Sequence, residues 1–88
     1  VLQMIRIGGG HPVVAGSRDA VLPEDLTAAI GPDTACLLFV QSHHCIQERR
    51  VSLEAMIGLA RAAGLPLIVD AAAETDLRRY VAAGADLV

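Results

Sequence analysis

The sequence predicts an α/β fold in which crossover helices join the strands of a parallel sheet. Two continuous apolar runs, residues 34–41 (TACLLFVQ) and 67–69 (LIV), are typical of strands covered on both faces. Between them, apolar residues recur at helical spacing in residues 53–60. Strands that alternate with helices over short connections pair in parallel with right-handed crossovers. Ligands of such sheets bind beyond the carboxyl ends of the strands.

The first third of the chain predicts two short extended segments followed by a helix. Residues 1–7 are expected to be extended, residues 8–10 (GGG) to form a turn, and residues 11–17 to form another short strand. A helix is predicted over residues 23–30, because proline stands at its first position and acidic residues follow in the first turn. Gly31 ends this helix.

The remaining elements follow from local signals after a polar loop. Ser52 is placed to cap the helix that contains residues 53–60, and Gly64 ends it. Residues 75–83 predict a short helix closed by glycine, and residues 86–88 (DLV) begin a third strand.

The composition is that of a protein interior. With 88 residues the chain is at most one small domain, and no internal boundary is predicted across residues 1–88. Because 53% of the residues are apolar and only 19% are charged, we expect a segment of a larger protein rather than a self-contained miniature.

Charge and hydropathy exclude several classes of function for this segment. The net charge is −3, and no basic stripe is present, which argues against nucleic-acid binding. No apolar run approaches the roughly 20 residues of a membrane span, and no signal peptide is recognised. Two cysteines, Cys36 and Cys45, are too few for a disulfide framework, so a cytoplasmic setting with reduced thiols is expected.

Polar side chains follow both predicted strands at the same edge of the sheet, in residues 41–45 and 70–74. Asp70 stands directly after a buried strand, where an unpaired carboxylate is costly. It is either a loop carboxylate bonded to nearby amides or an acid that faces a bound cation. Ala72 leaves room for a flat ligand, whereas helix-on-sheet packing explains Ala71 and Ala73 better.

The other cluster offers a hydroxyl, two imidazoles and a thiol in residues 42–45 (SHHC). Adjacent histidines point in different directions, which argues against a zinc site. One histidine is expected to face the edge of the sheet as an acid, a base or a hydrogen-bond donor. Nearby, Arg49 and Arg50 are interpreted as solvated side chains, of which one reaches an anionic substrate in the alternative interpretation.

Residues 18–47 and 65–88 resemble a known family, most specifically in SHHCIQ (residues 42–47) and VDAAAETDLRRYVAAGADLV (residues 69–88). They are similar to the central part of the large domain of fold-type I pyridoxal-phosphate enzymes. Within that family they resemble the branch of the bacterial seryl-tRNA selenium transferases and the related D-glucosaminate-6-phosphate ammonia-lyases, and they look closer to the latter. The resemblance implies pyridoxal 5'-phosphate as cofactor, α,β-elimination on an amino acid or amino sugar acid, and a homo-oligomer.

The resemblance also implies roles for individual residues. Asp70 matches the aspartate that pairs with the pyridine nitrogen of the cofactor, and Ala72 matches the small residue that packs against its ring. Ser42 and His43 match positions beside the cofactor's phenolic oxygen and the substrate, with His43 the catalytic candidate. Two further residues match the branch pattern and are candidates for contact with the substrate: Gln47 and Glu74.

The family's Schiff-base lysine and phosphate-binding loop have no counterpart in this sequence, which contains no lysine. The resemblance places the lysine a few residues beyond a GADLV stretch and the loop upstream, so the chain alone is expected to be inert. Two alternatives remain open. One is a slice of a (β/α)8 barrel enzyme, and the other is a small doubly wound domain that binds without catalysis.

Overall fold

The computed structural model describes residues 2–41 and 49–88 of the chain. Helices and strands alternate from the second helix onward. The elements are α1 (Leu2–Ile7), α2 (Pro23–Ala29), β1 (Leu37–Val40), α3 (Leu53–Ala63), β2 (Leu67–Asp70) and α4 (Arg78–Ala83). No helix in the described ranges is long and apolar enough to cross a membrane.

The two strands pair in parallel, and α3 connects them. The register places Leu37 opposite Leu67 and Val40 opposite Asp70. The predicted third strand is reduced to a single bridge between Ile68 and Leu87. The expected α/β arrangement with a parallel sheet and a crossover helix is therefore confirmed.

Local signals fix both ends of α3, as predicted. The hydroxyl of Ser52 accepts a hydrogen bond from the Ala55 amide at 3.1 Å, which satisfies one of the free N–H groups of the first turn. At the other end, Gly64 has a φ of 68° and its amide bonds back to the last turn. The helix buries Met56 and Ile57 against the sheet.

The core lies on one face of the sheet. Leu37, Phe39, Leu67 and Val69 alternate along the strands and are buried with the apolar face of α3 and with Tyr80 of α4. The other face is only half-buried in the described structure, because the intervening strand residues are partly exposed. The expectation of strands covered on both faces is thus met on one face only.

The predictions of an extended segment in residues 1–7 and of a strand in residues 11–17 are wrong. Leu2–Ile7 is a helix, and residues 11–17 contain no strand. No described strand lies beside residues 2–7, so a helix satisfies their backbone hydrogen bonds locally where an extended segment would leave them unpaired. In the second segment Pro12 lacks an N–H donor and Gly16 has a φ of 83°, so both interrupt an extended ladder.

Candidate functional site

The carboxyl ends of β1 and β2 lie side by side, as the parallel sheet predicts. Val40 pairs with Asp70 in the register, and the next amide, that of Gln41, donates to the main-chain oxygen of Asp70 at 2.8 Å. The two polar clusters of the sequence therefore start at neighbouring positions of one edge of the sheet.

Asp70 is half-buried, and its carboxylate has hydrogen-bonding capacity to spare. Its Oδ1 accepts from the Ala72 amide at 3.4 Å, which is long for such a bond. Within residues 2–41 and 49–88 this carboxylate has no ion-pair partner and no second hydrogen bond. A partly desolvated carboxylate with one weak local bond is suited to a cationic N–H donor.

The three alanines after Asp70 differ in their surroundings. Ala71 is 5% exposed and belongs to the core, which confirms its packing role. Ala73 is exposed, so the packing explanation is wrong for this residue. Ala72 is exposed too, and its small side chain leaves the edge of the sheet open beside Asp70.

Glu74 closes the turn that follows β2. Its amide donates to the Ala71 oxygen at 2.9 Å, and its Oε1 lies 3.4 Å from Nη2 of Arg79. The same Arg79 nitrogen donates to the hydroxyl of Tyr80 at 2.6 Å. The Tyr80 hydroxyl bond, with a smaller contribution from Glu74, raises the pKa of Arg79 above its usual value. The carboxylate of Glu74 thus has a protein partner, and its contact with substrate stays a prediction.

Arg50 also reaches this edge and is half-buried, so its interpretation as a solvated side chain is wrong. Its Nη2 donates to the Val40 oxygen at 3.0 Å, and the same nitrogen lies 3.5 Å from Oε1 of Gln41. Its guanidinium carbon stands 5.0 Å from the centre of the Phe39 ring. The sequence carries one signal for this placement of Arg50: it directly precedes the apolar residue Val51, which the structure places in the core.

Three of the predicted site residues lie outside the described residues: Ser42, His43 and Gln47. Their roles stay predictions. Ser42 and His43 directly follow Gln41 in the sequence.

Two depressions of the described surface lie away from this edge. One lies between α3 and α4 beside Pro66, which precedes β2, and the other lies along α2 beside Ala15. The candidate site is defined by the side-chain chemistry at the edge of the sheet.

Comparison with known proteins shows similarity to enzymes over the whole chain. No family model matches. The chain is 50% identical over 88 residues to D-glucosaminate-6-phosphate ammonia lyase of Salmonella typhimurium (strain 14028s / SGSC 2262). It is 41% identical over 87 residues to 5'-C-glycyluridine monooxygenase-decarboxylase of Streptomyces sp. These alignments cover 100% and 98% of this chain but only 24% and 22% of the two relatives.

A solved structure agrees with the sequence matches. The structure of D-glucosaminate-6-phosphate ammonia-lyase superposes with a TM-score of 0.90 at 49% identity, over 97% of this chain and 23% of that chain. The resemblance to D-glucosaminate-6-phosphate ammonia-lyase predicted from residues 42–47 and 69–88 is therefore confirmed. The chain spans about a quarter of the length of the relatives it matches.

Proposed function

We propose that this chain is part of a pyridoxal-phosphate-dependent lyase of the selenium-transferase-like branch of fold-type I enzymes. The reaction is α,β-elimination on an amino sugar acid such as D-glucosaminate 6-phosphate. The observation that carries the proposal is Asp70, a half-buried carboxylate without an ion-pair partner in the described residues, at the carboxyl end of β2. Similarity to an ammonia lyase over the whole chain supports the choice of reaction.

Asp70 and Ala72 fit one wall of the cofactor site. When bound, the cofactor accepts the electrons left after a Cα proton departs. In this proposal the Asp70 carboxylate holds the proton on the pyridine nitrogen, and its partial burial strengthens that ion pair. Ala72 is exposed beside it and leaves space for a flat ring.

The remaining roles follow the chemistry of elimination. His43 is the candidate to donate or accept a proton beside the substrate, with Ser42 next to it. As the resemblance implies, the Cα proton goes to the family's Schiff-base lysine, which this sequence lacks, and the β-hydroxyl takes up a proton, for which His43 is the candidate donor, and leaves as water. Hydrolysis of the enamine product then takes up one water and yields a keto acid and ammonia. We place the enzyme in the cytoplasm as a homo-oligomer with a small-molecule substrate.

The test uses the full-length gene product. We expect pyridoxal 5'-phosphate to be released from it by alkali and identified by mass spectrometry, and we expect ammonia to form from D-glucosaminate 6-phosphate. Asp70→Asn should lower kcat by about 100-fold or more, the size of an electrostatic contribution in an active site. Asp76→Asn is the matched control, because Asp76 is an exposed acid paired with Arg78.

Three results would contradict the proposal: no bound cofactor, no ammonia, or equal kcat for Asp70→Asn and the wild type.

The similarity to a monooxygenase-decarboxylase supports a second candidate function, an oxidative decarboxylation. Oxygen uptake with release of CO2 from an amino acid, without ammonia, would favour that candidate.

A further inference from the structure

Arg50 is the only one of the seven arginines of the chain that is half-buried, and the other six are exposed. Partial burial of a guanidinium is unfavourable unless its charge and its N–H groups find partners. The contacts of Arg50 therefore indicate what holds it at this position.

Among the described residues, the partners of Arg50 all belong to the carboxyl end of β1 or to Gln41, which follows it. Nη2 donates to the Val40 oxygen at 3.0 Å and lies 3.5 Å from the side-chain oxygen of Gln41. The guanidinium also covers the ring of Phe39, with 5.0 Å between the guanidinium carbon and the ring centre. A cation over an aromatic face and a charge-assisted hydrogen bond both fix the end of the strand.

One peptide group connects Arg50 to Asp70. The oxygen of the Val40–Gln41 peptide accepts from Arg50, and the N–H of that same peptide donates to the Asp70 oxygen at 2.8 Å. Hydrogen bonds that share a peptide group polarise and strengthen each other. The positive charge at the oxygen therefore makes the N–H a better donor to the strand that carries Asp70.

We propose that Arg50 is a positioning residue for Asp70. Through the Val40–Gln41 peptide it holds the carboxyl end of β2 against β1, and so fixes where the Asp70 carboxylate stands. The functional part of this inference rests on the proposed role of Asp70, whereas the structural part does not. Lysine is a poor substitute, because its single ammonium does not stack on a ring and bridge two acceptors as a planar guanidinium does.

The first test measures the Gln41 amide directly, by hydrogen–deuterium exchange in the full-length protein. Arg50→Met should speed exchange of this amide about tenfold, because loss of a bond from a charged donor weakens its neighbour. Arg49→Met is the matched control. The Arg49 side chain is exposed and has no partner in the described residues, and its main-chain bond to Val21 does not depend on the side chain.

The second test measures function. Arg50→Met should weaken binding of pyridoxal phosphate and lower kcat about tenfold or more, since small displacements of a catalytic group are costly. Arg49→Met should change neither. If Arg50→Met does not fold, Arg50→Lys should show smaller changes of the same kind in exchange and in kcat.

The outcomes separate the two proposals. Exchange and kcat of the Arg50 variants equal to those of Arg49→Met would overturn the role of Arg50. Faster exchange with unchanged cofactor binding and kcat would overturn the link to Asp70. A wild-type protein without cofactor and without elimination would overturn the proposed function, and the exchange experiment would still decide whether Arg50 holds the end of the strand.

Discussion

Substitution of Ala72 tests the proposed cofactor site with little effect on the fold. Ala72 is exposed and precedes Ala73, which is exposed as well, so a larger side chain at either position has room. We expect Ala72→Leu to reduce the affinity for pyridoxal phosphate by about tenfold or more, the cost of overpacking a close contact. Ala73→Leu is the matched control and should bind the cofactor normally. Melting temperature and cofactor titration check both variants, and equal affinities would contradict the assignment of Ala72.

Glu74 has two interpretations that one pair of variants separates. In the structure its carboxylate faces Arg79, and its side chain is 31% exposed, whereas that of Asp76 in the neighbouring pair with Arg78 is 58% exposed. Because water screens the more exposed Asp76–Arg78 pair more strongly, that pair contributes less to stability than the Glu74–Arg79 pair. We therefore expect Glu74→Gln to lower the melting temperature more than Asp76→Asn, and to leave KM unchanged. A raised KM with an unchanged melting temperature would support the predicted substrate contact instead.

At the scale of residues, the sequence predicts the position of a side chain when that position depends on its neighbours along the chain. Asp70 is recognisable because it directly follows the apolar run of residues 67–69, and the structure places it as the last residue of β2, at the expected edge of the sheet. Arg50 is not recognisable in this way. Its partners, the Val40 oxygen and the Phe39 ring, lie ten or more residues earlier in the sequence and are brought to it by the tertiary fold.

Two glycines show how the structure constrains the helices differently. Gly58 lies in α3, and a β-carbon at this position would meet no described atom within 4 Å apart from its chain neighbours and the backbone of its own helix. Gly58→Ala should therefore stabilise the protein by about 1 kcal/mol through helix propensity. Gly84 ends α4 with a φ of 129°, and a β-carbon there would stand 3.0 Å from Cγ2 of Ile57. Gly84→Ala should therefore destabilise the protein by more than about 1 kcal/mol. Denaturant unfolding measures both changes, and effects of the same sign would contradict this account.

The elements that were predicted well carry their own boundary signals. Proline begins α2, while Ser52 and Gly64 bound α3. Residues 1–7 have no such signals. A short apolar run fits either a helix or a strand, and the presence of a neighbouring strand decides between them. The helix predicted over residues 75–83 begins only at Arg78, with Leu77 as its N-cap.

At the scale of the whole molecule, much apolar surface is exposed. Large apolar side chains of α1 and of the following segment are the most exposed, at 72% for Met4, 76% for Ile7, 74% for Val13 and 68% for Val14. Surface of this kind is typical of a contact with other protein. We expect the 88-residue chain, expressed alone, to self-associate in size-exclusion chromatography with light scattering.

The same preparation should release no ammonia from D-glucosaminate 6-phosphate, because the chain has no lysine to act as the base. Ile7→Gln combined with Val13→Thr should reduce self-association without changing the core, since both side chains are exposed. A monomer that unfolds cooperatively would instead favour the alternative of a complete binding domain.

Hydrogen bonds at the amino end of β2 contribute to the position of Asp70 at its carboxyl end. At the amino end, the carboxylate of Asp86 accepts from the Leu67 amide at 2.8 Å, and the Asp86 amide donates back to the Leu67 oxygen at 2.9 Å. This reciprocal pair opposes a slip of β2 relative to the segment that contains Asp86. A slip of one position would turn every side chain of the strand to the opposite face and put a different residue in the place of Asp70. The bonds between Asp86 and Leu67 at the amino end of β2 therefore help to fix the position of Asp70 at its carboxyl end.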